Sequence, residues 1–509
     1  MTVLDVVSVL VVATNWVVLG YFVALNTSYL VLIALAVREF RHHLRRRAWA
    51  DLDDAYADPL TLGVSVVMPA YDEEATIVES VRAMLSLQHP RFEVVVVVDG
   101  AKDRTFEVLV EHFDLVEVPR VVPDDVPTRG AVRSVHAPRA ALPLVVVHTE
   151  NGGKASANNA GINAARHPLV CMVDADCVLD PDALLAMARP FADDPEHVVA
   201  AGGVVRAVND SPVSAGRVTE VRMPRRWIAR IQVVEYLRAF LLGRSGWSAV
   251  GALVVISGAF GLFRRDTVVE VGGFDLDTLG EDAELVVRLH RHLRAARRRH
   301  RLVFLPEPVA WTEVPETVRV LGRQRRRWSR GLVETLWRHR TMIGNPRYGA
   351  VGVLALPFYV LFELLAPVVE IGGLVALLLG LLLGAIDGTF AVLFFLVAVG
   401  YGLALSLVAL VVEEFSFHRY RGWRDLAAAL GATVVENLGY RQVTAWWRLR
   451  GLVDSLLRRR ARWGQMTRVG FTASPAPTPT PTPGPTPAPG GPVPAAGPVL
   501  GPVEVVDAR

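Results

Sequence analysis

The chain reads as an α/β domain inserted between apolar segments long enough to cross a membrane, and three observations predict this. With 52% hydrophobic residues and a positive mean hydropathy it is too apolar for an ordinary soluble protein, yet 21% charged residues is too many for a wholly membranous one. The apolar residues concentrate at two flanks, Val3 to Val37 and beyond Tyr348. Between them, short Val-rich runs alternate with helical patterns, as buried parallel strands and their crossover helices do.

The first flank, Val3 to Val37, would be roughly 50 Å long as a helix, more than one bilayer core but short of two spans and a turn. One long or tilted helix, about Val11 to Val37, is expected over a hairpin. No basic stretch precedes the apolar run, which disfavours a cleaved signal peptide. Basic residues follow it instead, from Arg38 to Arg47, and place the next block in the cytoplasm by the positive-inside rule. The net charge is only +3, but the pI near 9.0 reflects arginine runs at the membrane boundaries, Arg41 to Arg47 and Arg458 to Arg462, where anionic lipids favour them.

The polar block spans 61–340, preceded by the membrane helix and its basic flank at 1–48. Ser65 to Met68, Glu93 to Val98, Leu144 to His148 and Leu169 to Val173 read as buried parallel strands, separated by helices such as Glu74 to Leu87 and Ala155 to Ala165. In such sheets ligands gather at the carboxyl ends of the strands. The two cysteines, Cys171 and Cys177, are too few for a disulfide framework or a zinc site and read as small buried thiols in a reducing compartment.

C-terminal transmembrane helices are expected within 349–413, at about Ala350 to Leu383 and Phe390 to Val412. Pro357, Glu363, Pro367 and Glu370 interrupt the first, which reads as a shallow interfacial helix running into a span. Leu426 to Trp447, carrying Glu436, Arg441 and Gln442, reads as a helix lying at the interface within an amphipathic segment, 426–470. The Pro-rich tail, 473–509, cannot bury a core and reads as disordered, with polyproline II character.

Five motifs carry potential chemistry. Val66-Val67-Met68-Pro69-Ala70-Tyr71-Asp72-Glu73-Glu74 is a strand running through a Pro-containing loop into a helix, whose N-terminal amides suit a phosphate while Asp72 and Glu73 complement its dipole. Val98-Asp99-Gly100 puts a carboxylate where it can accept hydrogen bonds from a base or ribose, although alone it reads better as an Asp-Gly turn. Asp174-Ala175-Asp176 offers paired carboxylates at a strand end, suited to Mg²⁺ or Mn²⁺ on a diphosphate; alone such a triplet is usually a solvated turn. Gly280-Glu281-Asp282 and Gln324-Arg325-Arg326-Arg327-Trp328 complete the set. In the pentad an indole suits the apolar face of a sugar and a guanidinium suits a phosphate, whereas an interfacial basic helix anchored by Trp is the bland alternative.

In this order, with Asn151-Gly152-Gly153-Lys154-Ala155-Ser156-Ala157-Asn158-Asn159-Ala160-Gly161, Ser257-Gly258-Ala259-Phe260-Gly261-Leu262-Phe263-Arg264 and Gly272-Gly273-Phe274-Asp275, the stretch from about Val64 to Gly331 resembles the inverting family 2 glycosyltransferases. It is most similar to their membrane-embedded branch of cellulose, hyaluronan and poly-N-acetylglucosamine synthases. The resemblance implies a GT-A (nucleotide-diphospho-sugar transferase) domain, a UDP-sugar donor and Mg²⁺ or Mn²⁺. It further implies that Asp99 contacts the uridine, Lys154 holds nucleotide or diphosphate, and Asp176, with Asp174 nearby, organises the metal. Asp282 would be the general base, Arg327 would hold diphosphate, and Gln324 and Trp328 would form the acceptor end.

The chain departs from the family pattern in carrying Asp72 where Asn is usual, Val98-Asp99 for a double Asp, and Gly-Glu-Asp for Thr-Glu-Asp or Gly-Asp-Asp. Trp463-Gly464-Gln465-Met466-Thr467-Arg468 looks like a stretched Trp-Gly-Thr-Arg segment of hyaluronan synthases. The implied protein is a multi-pass inner-membrane enzyme with its catalytic domain in the cytoplasm, elongating a β-linked glycan amid membrane lipids and with accessory export subunits as further partners. Transfer of one sugar to a lipid acceptor is the alternative, and an inactive membrane scaffold a third reading. The arginine-rich stretch Arg288 to Arg301 lacks aromatic interleaving and reads as a solvated or lipid-facing helix, not as a nucleic-acid surface.

Overall fold

The computed structural model describes residues 3–47, 56–58, 60–214, 216–417 and 422–458; Trp463 to Arg468 and the Pro-rich tail lie outside them. Ten strands form one mixed sheet, in the order β3 (Leu115–Glu117), β4 (Val132–Pro138), β5 (Leu144–Thr149), β2 (Phe92–Asp99), β1 (Val64–Ala70), β6 (Leu169–Met172), β11 (Gly261–Arg264), β8 (Val198–Ala207), β12 (Arg301–Thr312) and β7 (Cys177–Leu179), while β9 (Val213–Ser214) and β10 (Arg217–Val218) form a separate pair. Its parallel heart is β5 (Leu144–Thr149), β2 (Phe92–Asp99), β1 (Val64–Ala70) and β6 (Leu169–Met172). These strands are Val-rich and buried on both faces, with Val94 to Val98 all at 0% exposure, which is why their apolar runs are continuous and do not alternate.

Chain order places β2 and β6 on opposite sides of β1, so the carboxyl ends of β1, β2 and β6 open a crevice at a topological switch point. The motif loops of Tyr71, Asp99 and Asp174 leave from those three ends.

The second half of the sheet escapes sequence reading. β11 (Gly261–Arg264) runs antiparallel between β6 and β8 (Val198–Ala207), and β12 (Arg301–Thr312) runs parallel to β8 and antiparallel to β7 (Cys177–Leu179). β8, Val-Val-Ala-Ala-Gly-Gly-Val-Val-Arg-Ala, is buried throughout, shows no alternation, and has its two valine pairs separated by Ala-Ala-Gly-Gly. Its Gly203 makes room for Phe260, whose ring carbon stands 2.1 Å from where a Cβ would be. β3 (Leu115–Glu117) and β4 (Val132–Pro138) close the far edge. Both cysteines are free and buried.

Val3–Arg47 is a single helix. By length and composition, two helices among the described residues are apolar enough to cross a membrane, Val3–Arg41 and Gly388–Phe415, and a bent pair, Val351–Leu364 and Ala366–Leu382, meets at 43°. The interruptions in that pair have partners. Glu363 pairs with Arg448 at 2.8 Å and Glu370 with Arg441 at 2.7 Å. Glu413, in the last apolar helix, pairs with Arg206 of β8 at 2.6 Å, both buried. An ionisable side chain in an apolar segment is retained where it finds such a partner.

Two expectations are corrected. Leu426 to Trp447 is not one helix: Trp423–Val435 and Arg441–Leu456 are separated by a break where Leu438 and Gly439 leave helical geometry, Gly439 at φ 102°. Arg288, read as part of a solvated run, turns inward and binds Glu284 and the Gly273 carbonyl, because a buried carboxylate requires a cation.

Candidate active site

At the end of β1 the chain turns through Asp72, whose φ of 54° lies in the left-handed region that Asp and Asn tolerate best. Asp72 Oδ1 accepts from the Lys102 N–H at 2.8 Å, latching this loop to the one after β2. The helix begins only at Ile77, so Asp72 and Glu73 are loop latches and not helix-dipole partners as the sequence suggested.

Asp99 ends β2 and is 4% exposed. The Gly152 and Gly153 N–H groups donate to its Oδ1 and Oδ2, each at 2.8 Å. Burial pushes its carboxyl up, and the two amides pull it back. Gly100, at φ 58°, lies so close to the next loop that a Cβ would stand 2.5 Å from the Asn151 nitrogen. Asp99 thus shapes the Asn151-Gly152-Gly153 turn that launches the helix Lys154–Ala164, and it forms no hydrogen bond to the other predicted site residues.

Lys154, first residue of that helix, brings two motifs together. Its Nζ lies 2.6 Å from Asp174 Oδ1 and 3.8 Å from Glu281 Oε1. Burial alone would lower the ammonium's pKa; Asp174 and Glu281 raise it above the ordinary lysine range. Asp282 stands at the start of the helix Glu281–Ala295, where the Gly258 N–H donates to its Oδ2 at 3.1 Å and the Ala283 N–H to its Oδ1 at 2.8 Å. A Cβ on Gly258 would lie 3.4 Å from Lys154 Nζ and 3.7 Å from Asp282 Oδ2, so Lys154, Gly258 and Asp282 line one small space.

Asp176 is 8% exposed, and burial and the neighbouring Asp174 raise its pKa to about 7. Glu281, also buried, is raised to about 7 by desolvation and by Asp282, against the pull of Lys154. Negative charge therefore exceeds positive here, which is the environment a divalent cation relieves. Among the described residues no group of three or more His, Cys, Asp or Glu makes a metal site by itself. Two carboxylates fit an ion such as Mg²⁺, which keeps waters and takes its remaining oxygens from a substrate diphosphate.

The helix Val318–Arg338 carries the pentad. It crosses the start of the Asp282 helix at a glycine pair: a Cβ on Gly331 would stand 2.8 Å from the Gly280 nitrogen. Gln324 Oε1 is buried without a hydrogen-bond partner, Arg327 is half-buried, and Trp328 is 37% exposed.

Arg325, passed over in the sequence, stacks on the Trp328 indole at 4.4 Å and bonds Glu235 Oε2 at 2.7 Å. The Tyr440 hydroxyl donates to the same oxygen at 3.1 Å. Ser329 donates to the Arg448 carbonyl, and Arg326 pairs with Asp454. The C-terminal helix Arg441–Leu456 is thereby strapped along the pentad helix. Tyr236, Phe240 and Arg244, also missed, belong to the apolar stretch from Trp227 to Ala249, with Phe240 6.2 Å from Trp328.

Behind the site, Asn159 clamps Phe274: its Oδ1 accepts from the Phe274 N–H at 2.7 Å and its Nδ2 donates to the Phe274 carbonyl at 2.9 Å. This fixes Gly272-Gly273-Phe274, and Asp275 then pairs with Arg338 of the pentad helix.

Poly-β-1,6-N-acetyl-D-glucosamine synthase of Staphylococcus aureus strain COL is 29% identical to the chain over 306 residues, 59% of this chain and 60% of the relative. The Staphylococcus epidermidis protein of the same name is 28% identical over 281 residues, 54% and 56% of the two chains. The chain therefore aligns with less than two thirds of the length of these curated relatives. A mannosyltransferase from Pyrobaculum calidifontis, solved in complex with GDP-Man and Mn²⁺, superposes with a TM-score of 0.52 at 19% identity, over 87% of this chain and all of that one. It shares the fold, and the GT-A expectation holds. The model for Glycosyltransferase like family 2 matches residues 62–331, 270 of the 509. The chain belongs to the family 2 glycosyltransferases.

Proposed function

We propose that this protein is a membrane-bound inverting glycosyltransferase that elongates a β-linked polysaccharide from a UDP-sugar, with its catalytic domain on the cytoplasmic side. The observation that carries the reading is the meeting of Asp174, Lys154, Glu281 and Asp282 at one point, with the pentad helix laid across it by the Gly280–Gly331 contact. Support for a polymer product comes from the synthases that the chain resembles, and for a nucleotide-sugar donor from the ligands of the structural neighbour.

Asp174 and Asp176 would hold Mg²⁺ or Mn²⁺, which when bound neutralises diphosphate charge and eases departure of the nucleotide. Lys154 balances the carboxylates beside the diphosphate, and Arg327 adds a second cation from the pentad helix. Asp99 acts at the nucleotide through the glycine turn it shapes. Asp282 takes the proton of an acceptor hydroxyl as that oxygen attacks the anomeric carbon. The bond to the diphosphate oxygen breaks on the opposite face, so one displacement inverts the centre. Gln324 and Trp328 present the acceptor, with Arg325 fixing one indole face so that the other is left for a sugar.

A second reading, transfer of one sugar to a lipid, draws on the small number of apolar helices among the described residues. Purified protein in detergent, given a panel of UDP- and GDP-sugars with Mg²⁺ or Mn²⁺, distinguishes the two by product size. A ladder or high polymer is expected; a single glycolipid selects the second reading, and no turnover with any donor overturns both. Asp282→Asn is expected to abolish transfer while UDP still binds, and turnover retained in that variant sinks the base assignment.

A further inference from the structure

Three arginine side chains of the described residues are more than nine-tenths buried: Arg206, Arg244 and Arg325. Arg206 has Glu413 at 2.6 Å and Arg325 has Glu235 at 2.7 Å. Arg244 has no carboxylate within 4.0 Å and no side-chain hydrogen bond among the described residues, and one of its terminal nitrogens is wholly buried without a partner. Its guanidinium lies 4.3 Å from the Phe240 ring, which offers a face and no anion. Removing a permanent cation from water without compensation is among the costliest arrangements in a fold.

The backbone beneath Arg244 gives it little freedom to swing outward. A Cβ on Gly246 would stand 2.6 Å from the Leu32 carbonyl of the N-terminal helix, and Trp247 packs edge-on against Phe358 at 5.1 Å. The ionisable groups around Arg244 are Tyr359, Asp282 and Tyr236, and Tyr236 in turn feels Asp176. Phe240, on whose ring Arg244 lies, is 6.2 Å from the Trp328 indole of the pentad and 4.3 Å from Tyr236, so Arg244 stands beside the acceptor end of the site, on the side where the N-terminal helix and Phe358 pack. Asp282 acts on this charge only from beyond ion-pair distance, since no carboxylate stands within 4.0 Å of the guanidinium among the described residues.

We propose that Arg244 is a receptor for phosphoryl oxygens, closing the active site from the membrane side and completed by the anion that a substrate brings. The proposal rests on the glycosyl-transfer reading of the site. A planar guanidinium matches a phosphate in bidentate fashion, and a diphosphate entering a cavity that already holds Asp174, Asp176, Glu281 and Asp282 needs fixed positive charge besides Lys154. The phosphate belongs either to the donor's diphosphate or to a phosphorylated lipid acceptor entering from the bilayer.

Arg244→Met and Arg244→Lys in the full chain test this, with three probes titrated in Mn²⁺: UDP, inorganic pyrophosphate and dodecyl phosphate. Arg244→Met is expected to weaken UDP and pyrophosphate binding about 10- to 100-fold, with Lys intermediate. The melting temperature of the ligand-free Met variant should be unchanged or raised, because a stranded charge has gone. Loss confined to dodecyl phosphate assigns the anion to a lipid and keeps the proposal.

A lower ligand-free melting temperature with all three affinities intact makes Arg244 a structural cation and overturns the proposal, as does a Met variant indistinguishable from wild type. Wild-type protein that binds none of the probes overturns it too. Arg244-dependent pyrophosphate binding in a protein that transfers no sugar overturns the functional reading instead.

Discussion

On the side of the site proposed for the donor, Asp99 and Asp174 sit at or just beyond strand ends, Lys154 and Asp282 stand at helix starts, and their contacts run between loops that face one space. On the membrane side, the groups come from distant segments and are joined by ion pairs: Arg325 to Glu235 across 90 positions, Arg326 to Asp454 across 128 and Arg238 to Glu436 across 198. The charge balance differs too. The donor side leaves carboxylates in excess around one lysine, and two of them are raised to about 7. The membrane side matches most of its buried or half-buried cations with a glutamate or aspartate, Arg244 excepted. On the proposed function, the side that would receive a metal and an anion keeps unbalanced charge, whereas the side that holds helices together cancels it.

The largest expected effect falls on the membrane side. Glu235→Gln strands Arg325 in a buried site and takes a charged acceptor from the Tyr440 hydroxyl, and removing one partner of a buried pair costs about 3–5 kcal/mol. Thermal unfolding in detergent should show a clear fall, and the double variant Glu235→Gln/Arg325→Met should regain most of it. A Glu235→Gln protein as stable as wild type breaks the contrast between the two sides.

Asp176→Asn is the counterpart on the donor side. It removes a buried carboxylate that Asp174 disfavours, so stability should hold or rise. Turnover should fall at least about 100-fold, since a lost metal ligand forfeits several kcal/mol of transition-state stabilisation. Activity with Mn²⁺ and melting temperature, measured on one preparation, separate the outcomes. A fall in both would mean that Asp176 is a structural group.

This contrast also sets what could be read from the sequence. The parallel heart of the sheet and the motifs at Asp99 and Asp174 were legible because strand, loop and helix start follow one another within a few residues, and Asp282 because its motif opens a helix. Even there, the sequence does not say that Asp99 accepts from two glycine amides, a fact of how the Asn151 turn folds back. The strand Val198–Ala207 was hidden because its central Ala-Ala-Gly-Gly interrupts the run of valines that marks the other buried strands. Arg244, Glu235 and Tyr236 were hidden because they lie in an apolar stretch that marks itself only as packing. Glu363 and Glu370 were visible as anomalies, but their partners Arg448 and Arg441 are about 70 to 85 positions away and no local rule pairs them.

The smallest predicted effect lies within one helix, where the two sides meet. Glu281 faces Lys154 and Asp282, and burial raises its pKa from 4.5 to about 7. Glu284, three residues on, is 0% exposed; burial alone would raise it, but His339 and Arg288 outweigh that and hold it below 4.5. For Glu281 the folded state keeps a proton that the unfolded state has released, so stability drains away as pH rises from about 4.5 through about 7, by at most about 1.4 kcal/mol per pH unit. For Glu284 the stabilisation is present above 4.5 and is lost as pH falls through its folded pKa. Glu281→Gln should therefore raise the melting temperature at pH 8 and converge with wild type near pH 4.5, whereas Glu284→Gln should lower it at pH 8. Both variants shifting the same way at pH 8 would place Glu281 in the balanced, structural set, and the boundary between the two sides would then lie on the far side of Lys154.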